Sequence, residues 1–200
     1  MKLPLFSACL IFFALILSIP SIASDPQSLF AEGNAAFNAG RFDEAIKAYN
    51  KALAANPQLM DAYYNRGMAY MKRAQFTEAI ADLGKALEAD PKNPELYYNR
   101  GLAHYRKGQH ERAIEDYTRA ISFSPNFSDA YLNRGIAYAY NKQYEEAIED
   151  YNKTILLKPN DERALFNRGV AYIRKAAADF TKVCAMGNQA ACSNLKQITE

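Results

Sequence analysis

The stretch Tyr97-Tyr98-Asn99-Arg100-Gly101-Leu102-Ala103 decides the fold, because it returns at a fixed interval along the chain. Near-copies stand at Tyr63-Tyr64-Asn65-Arg66-Gly67-Met68-Ala69, at Tyr131-Leu132-Asn133-Arg134-Gly135-Ile136-Ala137 and at Leu165-Phe166-Asn167-Arg168-Gly169-Val170-Ala171. The glycine carries the register further: Gly33, Gly67, Gly101, Gly135 and Gly169 are each 34 residues apart and are five of only nine glycines. Pro57, Pro91, Pro125 and Pro159 keep the same spacing, as do Ala45, Ala79, Ala113 and Ala147. Three residue types in one register establish an internal repeat, which is read before any local structure.

Each unit reads as two short helices. Apolar residues recur at helical spacing on both sides of Gly67, and the bare glycine lets a neighbouring helix come close. The second helix carries Ala79, Ile80, Leu83, Ala86 and Leu87, one apolar stripe on an amphipathic helix. Gly40 and Gly108 mark the turn between the helices in two units. The repeating proline ends each unit, because proline disfavours helix at the residue before it.

The period and these positions resemble the tetratricopeptide repeat. Residues 97–103, continued through Ala113 and Ala120 to Pro125, follow that pattern almost throughout. Four whole repeats fit at 26–59, 60–93, 94–127 and 128–161, and residues 162–200 hold a shortened fifth repeat and C-terminal capping helices. The resemblance implies an all-α, right-handed superhelical solenoid of helix-turn-helix repeats. A single helix pair cannot bury its stripe, and stacking pairs buries a continuous core.

The resemblance also implies a concave face lined by the first helix of each pair. On it would lie Phe30, Asn34 and Phe37 from the first repeat and Tyr64, Met68 and Met71 from the second. Tyr98, Leu102 and Tyr105 follow from the third, Leu132, Ile136 and Tyr140 from the fourth, and Phe166, Val170 and Ile173 from the fifth. Lys72, Arg106 and Arg174 would sit at its edge. Such an aromatic and aliphatic surface marks an interaction site if exposed; the other reading places part of it in the core. Asn65, Asn99, Asn133 and Asn167 form a second periodic set, either a ladder of amides for a bound peptide backbone or simply the residue common at this position. Arg66, Arg100, Arg134 and Arg168 follow them and are expected to pair with acids on neighbouring helices. The carboxylate clamp of this family is incomplete. Asn34 and Asn65 match its asparagines, but Phe30, Glu95 and Asn99 stand where its cations belong, so no preference for acidic C-terminal tails is expected.

The fifth repeat departs from the others. Ala176-Ala177-Ala178-Asp179-Phe180 matches Ala113-Ile114-Glu115-Asp116-Tyr117, yet five residues of the turn before it are missing. What remains has no Gly, Pro or Asn to turn on and favours helix. The spacing predicts one continuous helix over about residues 162–186, capped by Gly187-Asn188, and a short helix from about Gln189.

Residues 1–23 read as a leader: Lys2 is their only charge, the run 5–19 is apolar, and Pro20 is followed by a small-residue exit at Ala23. The expectation is a cleaved export signal and a periplasmic or secreted protein with no membrane insertion afterwards. The alternative is an uncleaved N-terminal anchor, for which the run is short. Without the leader, Cys184 and Cys192 are an even pair in an oxidising compartment, expected to form a disulfide rather than a redox pair. That tail also resembles the cysteine-rich αα-repeat proteins, where such a pair closes a helix-turn-helix. A loop this short gains about 2–3 kcal/mol.

Composition narrows the function. The formal net charge is +2, with no clustered basic excess, so no nucleic-acid partner is expected. His104 and His110 are the only histidines and occupy positions where other repeats carry Tyr or Phe. They read as packing residues, and no catalytic, metal or cofactor site is expected. The partner expected is a protein or peptide in the groove of an envelope scaffold. The rival is a self-associating module that forms a homodimer through its irregular C-terminal end. If the leader is cleaved, N-terminal sequencing of the protein from its native cell will begin at Ser24; an intact Met1 would mean an anchor.

Overall fold

In the computed structural model, residues 25–199 are described; residues 1–23, read above as a leader, lie outside them. They form ten helices, paired in chain order: α1 (Pro26–Asn38) with α2 (Phe42–Ala55), α3 (Met60–Lys72) with α4 (Phe76–Ala89), α5 (Pro94–Arg106) with α6 (His110–Phe123), and α7 (Ser128–Tyr140) with α8 (Tyr144–Leu157). The long α9 (Glu162–Ala185) and α10 (Gln189–Thr199) follow. No described helix is long and apolar enough to cross a membrane.

Within a repeat the two helices meet at the register glycine. Tyr117 lies over Gly101 so closely that an added Cβ would come within 2.9 Å of its ring, and Tyr151 lies over Gly135 in the same way at 2.8 Å. Gly33 lies tighter still under Tyr49, while Gly67 faces Leu83 at 3.2 Å. All four of these large side chains are buried, so the glycine is the space that admits them.

An ion pair flanks each contact from the second repeat to the fourth. Arg66 donates from Nε and Nη2 to both oxygens of Asp82 at 2.7 Å. Arg100 does the same to Asp116 at 2.9 and 2.7 Å, and Arg134 to Asp150 at 2.8 and 2.7 Å. Tyrosine rings flank the guanidinium groups, with Arg66 5.4 Å from the centre of Tyr63 and Arg134 5.6 Å from that of Tyr131. The planar fork meets the carboxylate and the flat cation meets the rings, a combination lysine cannot provide. The third donor reaches back to the preceding repeat: Nη1 of Arg66 bonds Asn50 at 2.6 Å and that of Arg134 bonds Thr118 at 3.0 Å.

The turn between paired helices closes in a left-handed residue in all four repeats. Gly40 and Gly108 supply it as their sequence suggests, and Ala74 and Lys142 adopt it with φ of 57° and 61°. The following N–H returns to a carbonyl five residues back, as in Gln75 to Tyr70 and Gln143 to Tyr138, both at 2.9 Å. This hydrogen bond holds two side-chain-bearing residues where glycine is normally favoured.

The fifth repeat has the continuous helix its missing turn implies. Helix α9 runs unbroken for 24 residues, and Gly187 at φ +91° turns the chain into α10. A disulfide joins Cys184 to Cys192 across that turn, with Cα atoms 4.8 Å apart. Gly169 consequently has no second helix against it, and an added Cβ would meet nothing within 4 Å. Two alanine substitutions at equivalent positions should therefore have opposite effects. Gly101→Ala should lower stability by about 1–3 kcal/mol through overpacking against Tyr117. Gly169→Ala, which meets nothing within its own chain, should raise the stability of the isolated single chain by about 1 kcal/mol through helix propensity. Denaturant titration of both variants checks this, and equal losses would contradict the packing described.

Candidate functional site

The first helices of successive repeats approach one another, α1 with α3, α5 with α7 and α7 with α9, and no two second helices do so to the same degree. The stack therefore bends with α1, α3, α5, α7 and α9 on the inside. Most of the expected groove residues are half-buried or exposed on these helices, with a clear change along the groove.

At the N-terminal end the side chains are tied to one another. Phe30 packs on Tyr49 with ring centres 5.9 Å apart, and Phe37 meets Phe42 edge-on at 5.5 Å. Asn34 accepts from the Tyr49 hydroxyl and from Asn65 Nδ2, both at 2.8 Å. Tyr64, Met68 and Met71 of the second repeat are half-buried.

The asparagine set is engaged across repeat boundaries. Asn99 Nδ2 faces the Tyr64 hydroxyl at 3.5 Å, and Asn133 Nδ2 donates to the Tyr98 hydroxyl at 2.9 Å. An amide N–H of Asn65, Asn99 and Asn133 is thus directed to the repeat before. Asn99 itself is buried, at 7% exposure, which corrects its placement on the groove surface. Leu132 is the second correction: it is fully buried and belongs to the core with Ala147, Ile148 and Tyr151. It stands where Tyr64 and Tyr98 present hydroxyls, so Asn167 meets no such acceptor. Burial raises the hydroxyl pKa of Tyr64 and of Tyr98, and that of Tyr105 to about 12 with help from its neighbour Tyr140. These groups keep their protons at neutral pH and act as hydrogen-bonding hydroxyls.

Toward the C-terminal end the surface opens. Tyr105, His110 and Tyr140 cluster across the third and fourth repeats, with His110 stacked on Tyr140 at 5.0 Å and Tyr105 edge-on to Tyr140 at 5.7 Å. Leu102 and Ile136 are half-buried, while Tyr140 is 64% exposed, Phe166 71% and Ile173 55%. Beside them lies a cleft of about 310 Å³ floored by Ile136, Ala139 and Val170 and edged by Tyr140, Asn167 and Arg174. An apolar floor with an amide and a guanidinium at its rim suits an aliphatic or aromatic side chain with a backbone carbonyl or carboxylate beside it.

His104 is buried, its Nδ1 2.8 Å from Gln109 Oε1. It packs where other repeats carry tyrosine, and His110 is taken into the aromatic cluster. The sequence predicts Val170 on this face but does not reveal that Ala139 joins it in a cleft, because that depends on how the fourth and fifth repeats lean on each other.

These features define a solenoid of helix-turn-helix repeats, a class of protein-interaction scaffold. Family profiles agree: one described as TPR repeat matches residues 33–73 and 67–108, and one described as Tetratricopeptide repeat matches 94–127 and 128–161. The chain belongs to the tetratricopeptide repeat family. Among solved structures it is similar to MamA protein, at 31% identity over 86% of this chain and 89% of that one, with a TM-score of 0.73. It is also similar to YrrB, described as a TPR protein with an unusual peptide-binding site, at 26% identity over 76% and 78% of the two chains and TM-score 0.68. A third likeness is the first TPR of Spaghetti (RPAP3) bound to the HSP90 peptide SRMEEVD, at 30% identity over 57% of this chain and 91% of that one, TM-score 0.56. The sequence matched none of the curated proteins compared with it.

The boundary-spanning bonds predict a stability effect away from any ligand. Tyr98→Phe removes the acceptor of Asn133 and should cost about 1 kcal/mol. Leu132→Met, at the position without a hydroxyl, should cost less than about 1.5 kcal/mol with no such bond to lose. A thermal melt of the Tyr98→Phe protein that matches the wild type would remove the structural role assigned to these amides.

Proposed function

We infer that the protein is an exported scaffold that holds an extended or helical segment of another envelope protein in its concave groove. The observation that carries this reading is the cleft edged by the exposed Tyr140 at the end of the groove, with Phe166 and Ile173 also left exposed on α9. Large apolar side chains left open around a concavity are where binding energy concentrates. YrrB and the Spaghetti domain are described with peptides or a peptide-binding site, which supports a peptide segment as the ligand here. Export rests on the leader-like residues 1–23 and agrees with a disulfide between Cys184 and Cys192.

The half-closed N-terminal part of the groove, with Asn34 already accepting two hydrogen bonds, points to the C-terminal half as the energetic centre. Arg174 at the cleft rim makes no ion pair with another described residue and is available to a ligand carbonyl or carboxylate. Panning a random peptide library against the purified protein should enrich peptides with aromatic or branched aliphatic anchors. Their binding should fall at least about tenfold, or about 1.4 kcal/mol, in a Tyr140→Ala/Phe166→Ala variant. Peptides that bind the variant as well as the wild type would place the site elsewhere.

A further inference from the structure

Helix α9 keeps one half of an interface whose other half has moved out of reach. In the third repeat Arg100 holds Asp116, and Tyr117 fills the space over Gly101. The fifth repeat retains Arg168 and Gly169 as the receiving side and Asp179-Phe180 as the inserting side. Both now lie on a single continuous helix, 11 residues apart, or about 16 Å at 1.5 Å per residue. They cannot meet within one chain.

The consequences are visible on the receiving side. Among the described residues Arg168 bonds only Asn152, through Nη1 at 2.8 Å, the reach toward the preceding repeat that Arg66 and Arg134 also make. The bidentate carboxylate pair those arginines have is missing. Asp179 is exposed and makes no salt bridge with another described residue; the cation one turn before it, Lys175, feels its charge but is paired with Glu145. Nothing lies within 4 Å of a Cβ on Gly169. Leu165, Tyr172 and Val183 are 41%, 52% and 39% exposed on the same side of the helix.

That side is a continuous seam. Leu165, Gly169, Tyr172, Ala176, Asp179 and Val183 follow one another at alternating steps of four and three, the spacing by which two helices pack along their length. Helix α10 is stapled at Cys184, off this seam, and the cleft it shares with Arg174, Ala177, Ala178 and Thr181 touches the seam only at Asp179.

We propose that α9 pairs antiparallel with α9 of a second copy about a two-fold axis near Arg174, rebuilding the missing helix pair twice in trans. In that register Arg168 meets Asp179 of the second copy and Phe180 of the second copy lies over Gly169, as Asp116 and Tyr117 do in the third repeat. Because the seam is symmetric about its centre, the same alignment sets Leu165 against Val183 and Tyr172 against Ala176, large against small. The charges are complementary, and two-fold symmetry satisfies both halves of both chains together. Loss of the turn is the structural cause, since a linker too short to fold back exchanges the element between copies. The pairing leaves the concave groove untouched and stands independently of the peptide-binding reading.

Light scattering of the purified protein in the micromolar range tests this. The expected result is a mass of two chains, reduced to one by Arg168→Asp or by Asp179→Arg and returned to two when both reversals are combined. Inserting Gly-Gln-His-Glu-Arg, the stretch present at residues 108–112 of the third repeat, between Lys175 and Ala176 restores the turn and should also give one chain with its helix content kept. A single-chain mass for the unaltered protein overturns the proposal, as does a two-chain mass that survives both single reversals.

Discussion

Each of the four whole repeats depends on the close approach of its two helices at one glycine, where Tyr49, Leu83, Tyr117 or Tyr151 is driven against the backbone of the first helix. Helices of 13 or 14 residues are marginal alone in water, so the pair exists because this contact buries a large side chain. From the second repeat to the fourth, an arginine–aspartate pair beside the contact fixes the rotation of one helix about the other. The asymmetry between closely spaced first helices and more distant second helices then curves the stack. The groove is a by-product of that curvature.

Polar groups on the inner face serve the stack before they serve a ligand. Asn65, Asn99 and Asn133 each direct an amide N–H to the repeat before, and the acceptor changes from an asparagine to tyrosine hydroxyls along the chain. A buried amide without a partner costs more than the bond contributes, so these links tie repeat to repeat. The relay stops at Leu132, and beyond it the inner surface carries exposed Phe166 and Ile173 beside the unengaged Asn167. Structural closure and interaction capacity are therefore separated along the groove.

The C-terminal end is stabilised by a different means. Helix α9 buries only Ala164 and Ala171, and α10 only Ala191, which is a small apolar contribution for 35 helical residues. The Cys184–Cys192 disulfide compensates by limiting the freedom of the unfolded tail. Asn188 and Asp161 cap the helices they precede, at 3.0 Å to the N–H of Ala191 and of Ala164. A staple replaces a core where the repeat lost its second helix.

The sequence by itself determined the register, the helix pairs, the continuous α9 and the cysteine partners, because each follows from local spacing. Glycine, proline and alanine recur every 34 residues, and the lost turn shows as five missing positions. Tertiary structure decided what repetition hides. Leu132 aligns with Tyr64 and Tyr98 yet is fully buried, and Asn99 aligns with Asn133 and Asn167 yet is more covered than either. Ala74 and Lys142 adopt the left-handed turn that the neighbouring repeats assign to glycine. The reason is physical: equal positions in a repeat share a backbone environment, but burial and hydrogen bonding are set by the next repeat's side chains, which differ from unit to unit. Arg168 shows this most clearly, since the same Asn-Arg-Gly triplet that holds an aspartate in three repeats holds none where the second helix does not return.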